Sequence, residues 1–283
     1  MTWTLTEDID RYADEIRPLL RAEPERYTVI ATVLASLAEH GPNVYGVDPP
    51  VLGWWTSDGA VLAAALQTPP HPLQLTHLPA DSIDPLVAAL APAHAAGIAS
   101  VRGAEADAAA FAQAWRAATG RRASVQMRQR LYRLGELTPP DPMPAGAARL
   151  AMPTDADVAF EMNEGFGSDT GQPRPTAALI EERLRAGRLV LWELDGEPVS
   201  MAGITEVIGG VARIGAVYTP APHRNRGYGG AVTAAATRFA HERGASSVIL
   251  FTDLANPTSN SIYIKLGYRP VQDTVVLAFS DEL

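Results

Sequence analysis

The sequence predicts an α/β (α+β) protein built as two domains of one design, and three observations carry that expectation. The order helix, helix, strand, hairpin, strand, helix, strand runs through the first half and recurs in the second with little residue identity. Between the halves stands Pro139-Pro140-Asp141-Pro142-Met143-Pro144, which can be neither helix nor central strand because proline lacks an N–H and fixes φ. A chain of 283 residues is long enough for each half to bury its own core. The expected division is a first domain over 1–138, a linker over 139–144 and a second domain over 145–283.

In the first half, Asp8 to Leu20 places Ile9, Tyr12, Ala13, Ile16, Leu19 and Leu20 on one helical face. Pro24 to His40 repeats the pattern with Ile30, Val33, Leu34 and Leu37. Val51 to Thr56 and Val61 to Thr68 read as strands joined by the turn Ser57-Asp58-Gly59. A short strand, Leu73 to Leu78, precedes Ser82, which is placed to cap a helix from Ile83 to Ala96. Ile98 to Val101 reads as a strand, Glu105 to Ala118 as a helix with Phe111 and Trp115 in the core, and Ser124 to Leu134 as a strand.

In the second half, Asp155 to Phe166 and Ala177 to Ala186 read as helices, with the loop Gly167 to Pro175 between them. Leu189 to Glu193 and Val199 to Val207 form a hairpin through Asp195-Gly196. Gly209-Gly210 turns into a strand from Val211 to Thr219. An Ala-rich helix runs from Ala231 to Arg243 and stops at Gly244. A strand Ser247 to Thr252, a short helix around Ser259 to Leu266 and a last strand Thr274 to Phe279 complete the half.

Composition narrows the function classes. Hydrophobic residues at 47% and charged residues at 19% describe a globular chain. A formal net charge of −9 argues against a nucleic-acid partner, which calls for a basic face, and is compatible with cationic small molecules. There is no cysteine, which removes disulfides, thiolate metal ligands and a thiol nucleophile. No two histidines have the helical spacing of a zinc-binding pair, so no metal is expected. No signal-like segment opens the chain, and no apolar run reaches the ~20 residues a spanning helix needs. The expectation is a cytoplasmic protein without a membrane partner; a homodimer is compatible with the sequence.

The most informative stretch is His223-Arg224-Asn225-Arg226-Gly227-Tyr228-Gly229-Gly230-Ala231, between a strand and a helix. A helix start leaves backbone N–H groups unpaired and carries about half a positive charge, so it suits an anion. Glycines allow close approach and positive φ, and Arg224 and Arg226 add charges suited to phosphate. Glycine-rich turns also precede helices that bind nothing. The spacing is not G-x-G-x-x-G, and the only lysine, Lys265, lies too far away for a Walker loop.

Arg224-Asn225-Arg226-Gly227-Tyr228-Gly229 fits the [QR]-x-x-G-x-[GA] pyrophosphate loop of the GNAT superfamily of acyl-CoA-dependent N-acyltransferases. One helix and one strand later, Asn256-Pro257-Thr258-Ser259 leads to Tyr263 and then Lys265-Leu266-Gly267-Tyr268, like that family's N-x-x-[AS]-x-x-x-Y-x-K-L-G-[FY] signature. The second half, Ala145 to Leu283, thus resembles this superfamily, and the first half resembles it in element order alone. The resemblance implies two GNAT-like domains, each a mixed, mostly antiparallel central sheet flanked by helices. It implies acetyl-CoA as acyl donor, with pyrophosphate on the backbone of Gly227, Tyr228, Gly229, Gly230 and Ala231, and Arg224, Asn225 and Arg226 beside it. The pantetheine arm would bond a strand edge at Val217, Tyr218 and Thr219, where the strands before and after the loop splay apart. Asn256 either caps the short helix or contacts that arm, with Ser259 beside it.

By the same resemblance Tyr263 is the proton donor to the departing thiolate, against its plainer reading as a core aromatic. The strand before the loop carries Arg213 and no carboxylate, so the general base does not transfer. Glu206 is the first candidate, with Glu161 and Glu164 behind it. In the first half, Pro79-Ala80-Asp81-Ser82 stands in the loop position and Arg116 where Tyr263 would fall, so no cofactor is expected there. Its expected part is to buttress the second half and shape the acceptor cleft. The expected activity is direct acetyl transfer to the amine of a small molecule. The alternative is a non-catalytic acyl-CoA-binding or regulatory module.

Overall fold

The computed structural model describes residues 1–171 and 175–281. The chain forms two compact units, Met1–Leu131 with Asp253–Ala255 and Val271–Leu283, and Tyr132–Thr252 with Asn256–Pro270.

The first unit opens with β1 (Thr2–Thr6), α1 (Ile9–Ala22) and α2 (Thr28–His40). Asp8 starts α1 by accepting the Arg11 N–H at 2.9 Å. β2 (Val51–Ser57), β3 (Ala60–Gln67), β4 (Leu73–Leu75), α3 (Ile83–His94), β5 (Ser100–Ala104), α4 (Glu105–Thr119) and the long β6 (Arg122–Leu134) follow. β1 to β4 pair antiparallel in chain order, and β4 pairs parallel with β5. Successive side chains of β2 point to opposite faces, so both faces are covered. Leu52 and Trp54 pack on Tyr12, Ile16 and Leu37, whereas Val51 and Trp55 pack with Leu86, Phe111 and Trp115.

The chain's last strand completes this sheet: Thr274 to Ala278 pair antiparallel with Ala104 to Ser100 of β5. A single cut at the proline cluster therefore does not reproduce the two compact units. β1, a five-residue strand that the sequence reading passed over, pairs with β2. Ser82 does not cap α3. Its hydroxyl donates to the Pro79 carbonyl at 2.7 Å, and its own carbonyl accepts the Trp3 indole N–H.

The second unit contains β7 (Ala147–Leu150), α5 (Ala156–Thr170), α6 (Ala177–Arg185), β8 (Leu189–Leu194), β9 (Glu197–Ile204) and β10 (Val211–Tyr218). α7 (Tyr228–Glu242), β11 (Ser247–Asp253) and α8 (Pro257–Lys265) follow, and then β12 (Tyr268–Ser280), whose residues from Val271 on belong to the first unit. β7 to β10 pair antiparallel in order, and β10 pairs parallel with β11, so the sheet is mixed and mostly antiparallel. The expected α5–α6 loop starts later than anticipated because α5 continues to Thr170; its residues 172–174 lie outside the described residues.

Helices cover both faces here as well. Small residues of α7 (Ala231, Ala234, Ala235, Ala236) let the helix lie close on Val190, Ala202, Ala212 and Ile214. On the other face Met162, Ile180 and Leu184 of α5 and α6 cover Leu189, Leu191 and Met201. The segment before β7 is not a free tether. Gly135 and Thr138 N–H groups donate to the carbonyls of Gly267 and Leu266, each at 3.0 Å. A Cβ at Gly227 or Gly230 would stand 3.7 Å from Pro144 or 3.6 Å from Pro140, so the expected linker 139–144 lies against the start of α7.

Candidate active site

The site begins with an irregularity in β10. From Gly215 to Tyr218 is three residues, whereas their β9 partners, Gly203 and Met201, are two apart, so β10 carries one extra residue. Ala216 takes up the excess at φ +48°, a conformation costly for a residue with a Cβ. The parallel ladder with β11 ends at Ile214 and Leu250, although β10 continues to Tyr218. The two strands therefore separate where the sequence placed the splay. Gly215 is exposed there, and nothing lies within 4 Å of a Cβ built on it.

β10 leads through Thr219 into the loop. Gly227 is the N-cap of α7 at φ +84°, a conformation glycine adopts without penalty, and it brings no side chain to occupy the helix start. Helix geometry leaves the N–H groups of Tyr228, Gly229 and Gly230 without intrahelical partners. Ala231 is different: its N–H already donates to the Gly227 carbonyl at 3.1 Å, the first bond of the helix. Among the N–H groups expected to face the anion, that of Ala231 is therefore the one already engaged within the helix.

Arg224 is also committed. Its Nε donates to the Thr219 carbonyl at 3.0 Å, its guanidinium pairs with Asp169 at the end of α5, and it lies 5.8 Å from the Tyr218 ring centroid. It braces the loop, and Asn225 beside it turns the chain at φ +61°. Arg226 is exposed. Ser200, which the sequence reading missed, is fully buried and supports the strand end. Its hydroxyl donates to the Tyr218 carbonyl at 2.9 Å and lies 2.8 Å from the Thr219 hydroxyl. Nothing local marks such a serine, because its partners come from another strand.

α8 lies beside the start of α7, where a Cβ built on Gly230 would stand 3.6 Å from Ile262. Asn256 Oδ1 accepts the Ser259 N–H at 3.0 Å, so of its two readings the structure shows the cap. Tyr263 is 8% exposed, packed in the α7 core with its ring edge-on to Tyr268 at 6.2 Å. Burial pushes its phenol up to about 12, and a hydrogen bond from Ser259 opposes that rise. Burial likewise raises the phenols of Tyr12 and Tyr268. Their folded values lie above the unfolded value of about 10, so this stabilisation is intact below pH 10 and is lost as pH rises through the folded values. For Tyr263 the loss amounts to about 3 kcal/mol. Thermal melts should show the Tm falling steadily from pH 10 to 12, less steeply in Tyr263→Phe; a Tm flat across that range would contradict buried phenols.

Glu206 is not brought to this region. The Thr205 N–H bonds the Arg213 carbonyl, so Glu206 lies past the end of β9 and beside the first residues of β10, exposed, at the end opposite the loop. At roughly 3.3 Å per residue it stands on the order of 15 Å from Val217 along the strand. Because β9 and β10 are antiparallel, the end of one is the beginning of the other. Glu161 is exposed, and Glu164 is half-buried on α5, the helix that packs on β10. Next to Glu164, a Cβ at Gly165 would meet the Tyr218 hydroxyl at 2.4 Å, which shows how closely α5 approaches the bulged end of β10. Lys265 is exposed in the last turn of α8. Among the described residues no three His, Asp or Glu side chains are grouped to hold a metal, and no helix is long and apolar enough to cross a membrane.

Comparison with known proteins agrees with this geometry. The family model described as acetyltransferase (GNAT) family matches residues 157–268. No curated protein matches the sequence. Among solved structures, a GCN5-related N-acetyltransferase from Sphaerobacter thermophilus is similar over 97% of this chain and 94% of its own, at 17% identity and TM-score 0.63. A GNAT-family acetyltransferase from Colwellia psychrerythraea is similar over 99% of both chains, at 11% identity and TM-score 0.60. A GCN5-related N-acetyltransferase from Kribbella flavida covers 78% of this chain and 87% of its own, at 23% identity and TM-score 0.56. At these identities the likenesses establish the fold. The family match runs over the segment from α5 to α8, which contains the strand separation, the glycine-capped helix start and Tyr263.

Proposed function

We propose that the second unit catalyses direct transfer of an acetyl group from acetyl-CoA to the amine of a small molecule, in a ternary complex. One observation carries this reading: β10 leaves β11 at Ile214 and ends in a glycine-capped helix start. That places a separating strand edge and a set of unpaired N–H groups in continuous sequence. An extended arm with amide groups can bond the first, and the pyrophosphate next to it can accept from the second. Acetyl-CoA supplies the activated acetyl group. Tyr263 stays protonated through the physiological range and can donate its proton to the sulfur as the C–S bond breaks. The net charge of −9 favours the approach of cationic amines over that of acids.

The amine must lose a proton to attack. Among Glu161, Glu164 and Glu206, we place that role on Glu164, since it alone is half-buried on the helix packed on β10. Glu164→Gln should lower kcat/KM about 10²-fold with acetyl-CoA affinity unchanged. Glu206→Gln should leave both unchanged; equal rates for the two variants would remove Glu164 from the mechanism. The reading as a whole is tested by calorimetric titration with acetyl-CoA and by a panel of amines followed through released thiol. No saturable binding would sink it, and binding without turnover of any amine would favour an acyl-CoA-binding module.

A further inference from the structure

The last residues of the first half of the sequence grip α8 at both ends. At its start, the Tyr132 hydroxyl donates to Asn260 Oδ1 at 3.0 Å. The Nδ2 of Asn260 donates to the Asn256 carbonyl at 2.7 Å, and the Asn260 N–H bonds the same carbonyl at 3.2 Å. At the end of α8, Gly135 and Thr138 bond Gly267 and Leu266. Gly267 sits at φ +97°, and a Cβ there would come within 1.8 Å of the Glu136 carbonyl oxygen.

Tyr132 is 1% exposed in the cluster that also holds Tyr228, Tyr263 and Tyr268. A phenylalanine would fill that space equally well, so packing alone does not call for the hydroxyl. Its hydrogen bond settles which way the Asn260 amide faces: with Oδ1 held by a donor, Nδ2 points at the Asn256 carbonyl. The Asn256 backbone is thereby held twice while its Oδ1 caps Ser259, leaving the side-chain NH2 of this exposed residue to donate outward. Ser259, one turn on, is bonded to the Tyr263 hydroxyl.

We infer that Tyr132 is a positioning residue of the acyl-CoA site, acting through Asn260 on Asn256 and on the turn of α8 that carries Ser259 and Tyr263. This rests on the acetyltransferase reading above. The test uses the full chain with Tyr132→Phe, Asn260→Ala and the double variant. Acetyl-CoA binding is measured by calorimetry, and KM and kcat with the best amine of the panel. Tyr132→Phe should raise the Kd and KM for acetyl-CoA about fivefold, the loss of one net hydrogen bond, with the amine KM unchanged. Asn260→Ala should match it, and the double variant should be no worse than Asn260→Ala, because both break one chain of contacts. A lowered Tm with Kd, KM and kcat within twofold of the unmutated chain would overturn the role, as would additive losses in the double variant. If the unmutated chain binds no acetyl-CoA, the acetyltransferase reading falls and takes this one with it. If it binds and Tyr132→Phe binds equally well, Tyr132 alone is removed.

Discussion

Gly229→Asp should weaken acetyl-CoA binding about 100-fold or more while leaving both units folded. Gly229 is the second residue of α7 after its Gly227 cap, and a Cβ there meets only the Thr219 hydroxyl, at the ordinary contact distance of 3.6 Å. The substitution therefore adds charge without displacing backbone. Two like charges about 5 Å apart repel by roughly 3 kcal/mol at the effective dielectric constant of a protein surface, which is two orders of magnitude in Kd. The same carboxylate interacts favourably with the helix dipole, by about 0.3–1 kcal/mol, so the unliganded variant should melt no lower than the unmutated chain. Binding and stability are thus expected to move in opposite directions, which a misfolded variant cannot imitate. Gly227→Asp adds a strain of about 1–2 kcal/mol at φ +84° and should lose binding with some stability. Calorimetry and circular dichroism check both, and a Kd for Gly229→Asp within tenfold of the unmutated chain would remove the loop as the pyrophosphate site.

Tyr263→Phe should lower kcat by about 10²- to 10⁴-fold and leave acetyl-CoA affinity nearly unchanged. The phenyl ring keeps its place against Tyr268 and the α7 core, so only the hydroxyl and its bond to Ser259 are lost. A phenol at about 12 is a weak acid for a thiolate in water, but burial opposes charge on both groups and raises the proton affinity of sulfur as well. Since the acid form acts and its pKa is raised, kcat should show no loss from Tyr263 until the pH approaches 12. Unchanged turnover in the variant would return Tyr263 to the core and leave the thiolate to be protonated by water.

Much of this was legible along the chain because it is local. The loop before α7 depends on Gly227, whose positive φ and missing side chain follow from its being glycine. The helix periodicities and the Asp195-Gly196 hairpin, with φ of +52° and +85°, are likewise properties of neighbours in sequence. The weaker patterns were missed: β1 and β7 are five and four residues long, too short for alternation to stand out. Glu206 marks a different limit. It was placed by its position on a hairpin, whereas only strand direction and register decide which end of a hairpin meets a ligand.

The sequence by itself determined the element types, the glycine-capped helix start and the aromatic signature of α8, since each depends on residues within a turn or two of one another. Tertiary structure alone decided which of the named groups are available. It turned Arg224 into a brace on Asp169 and laid the proline cluster against α7. It also joined Tyr132 to Asn260 across 128 residues and paired the last strand with β5. Such partners are chosen by sheet register and by the burial of opposite faces, and these act between segments whose separation along the chain carries no trace of their contact.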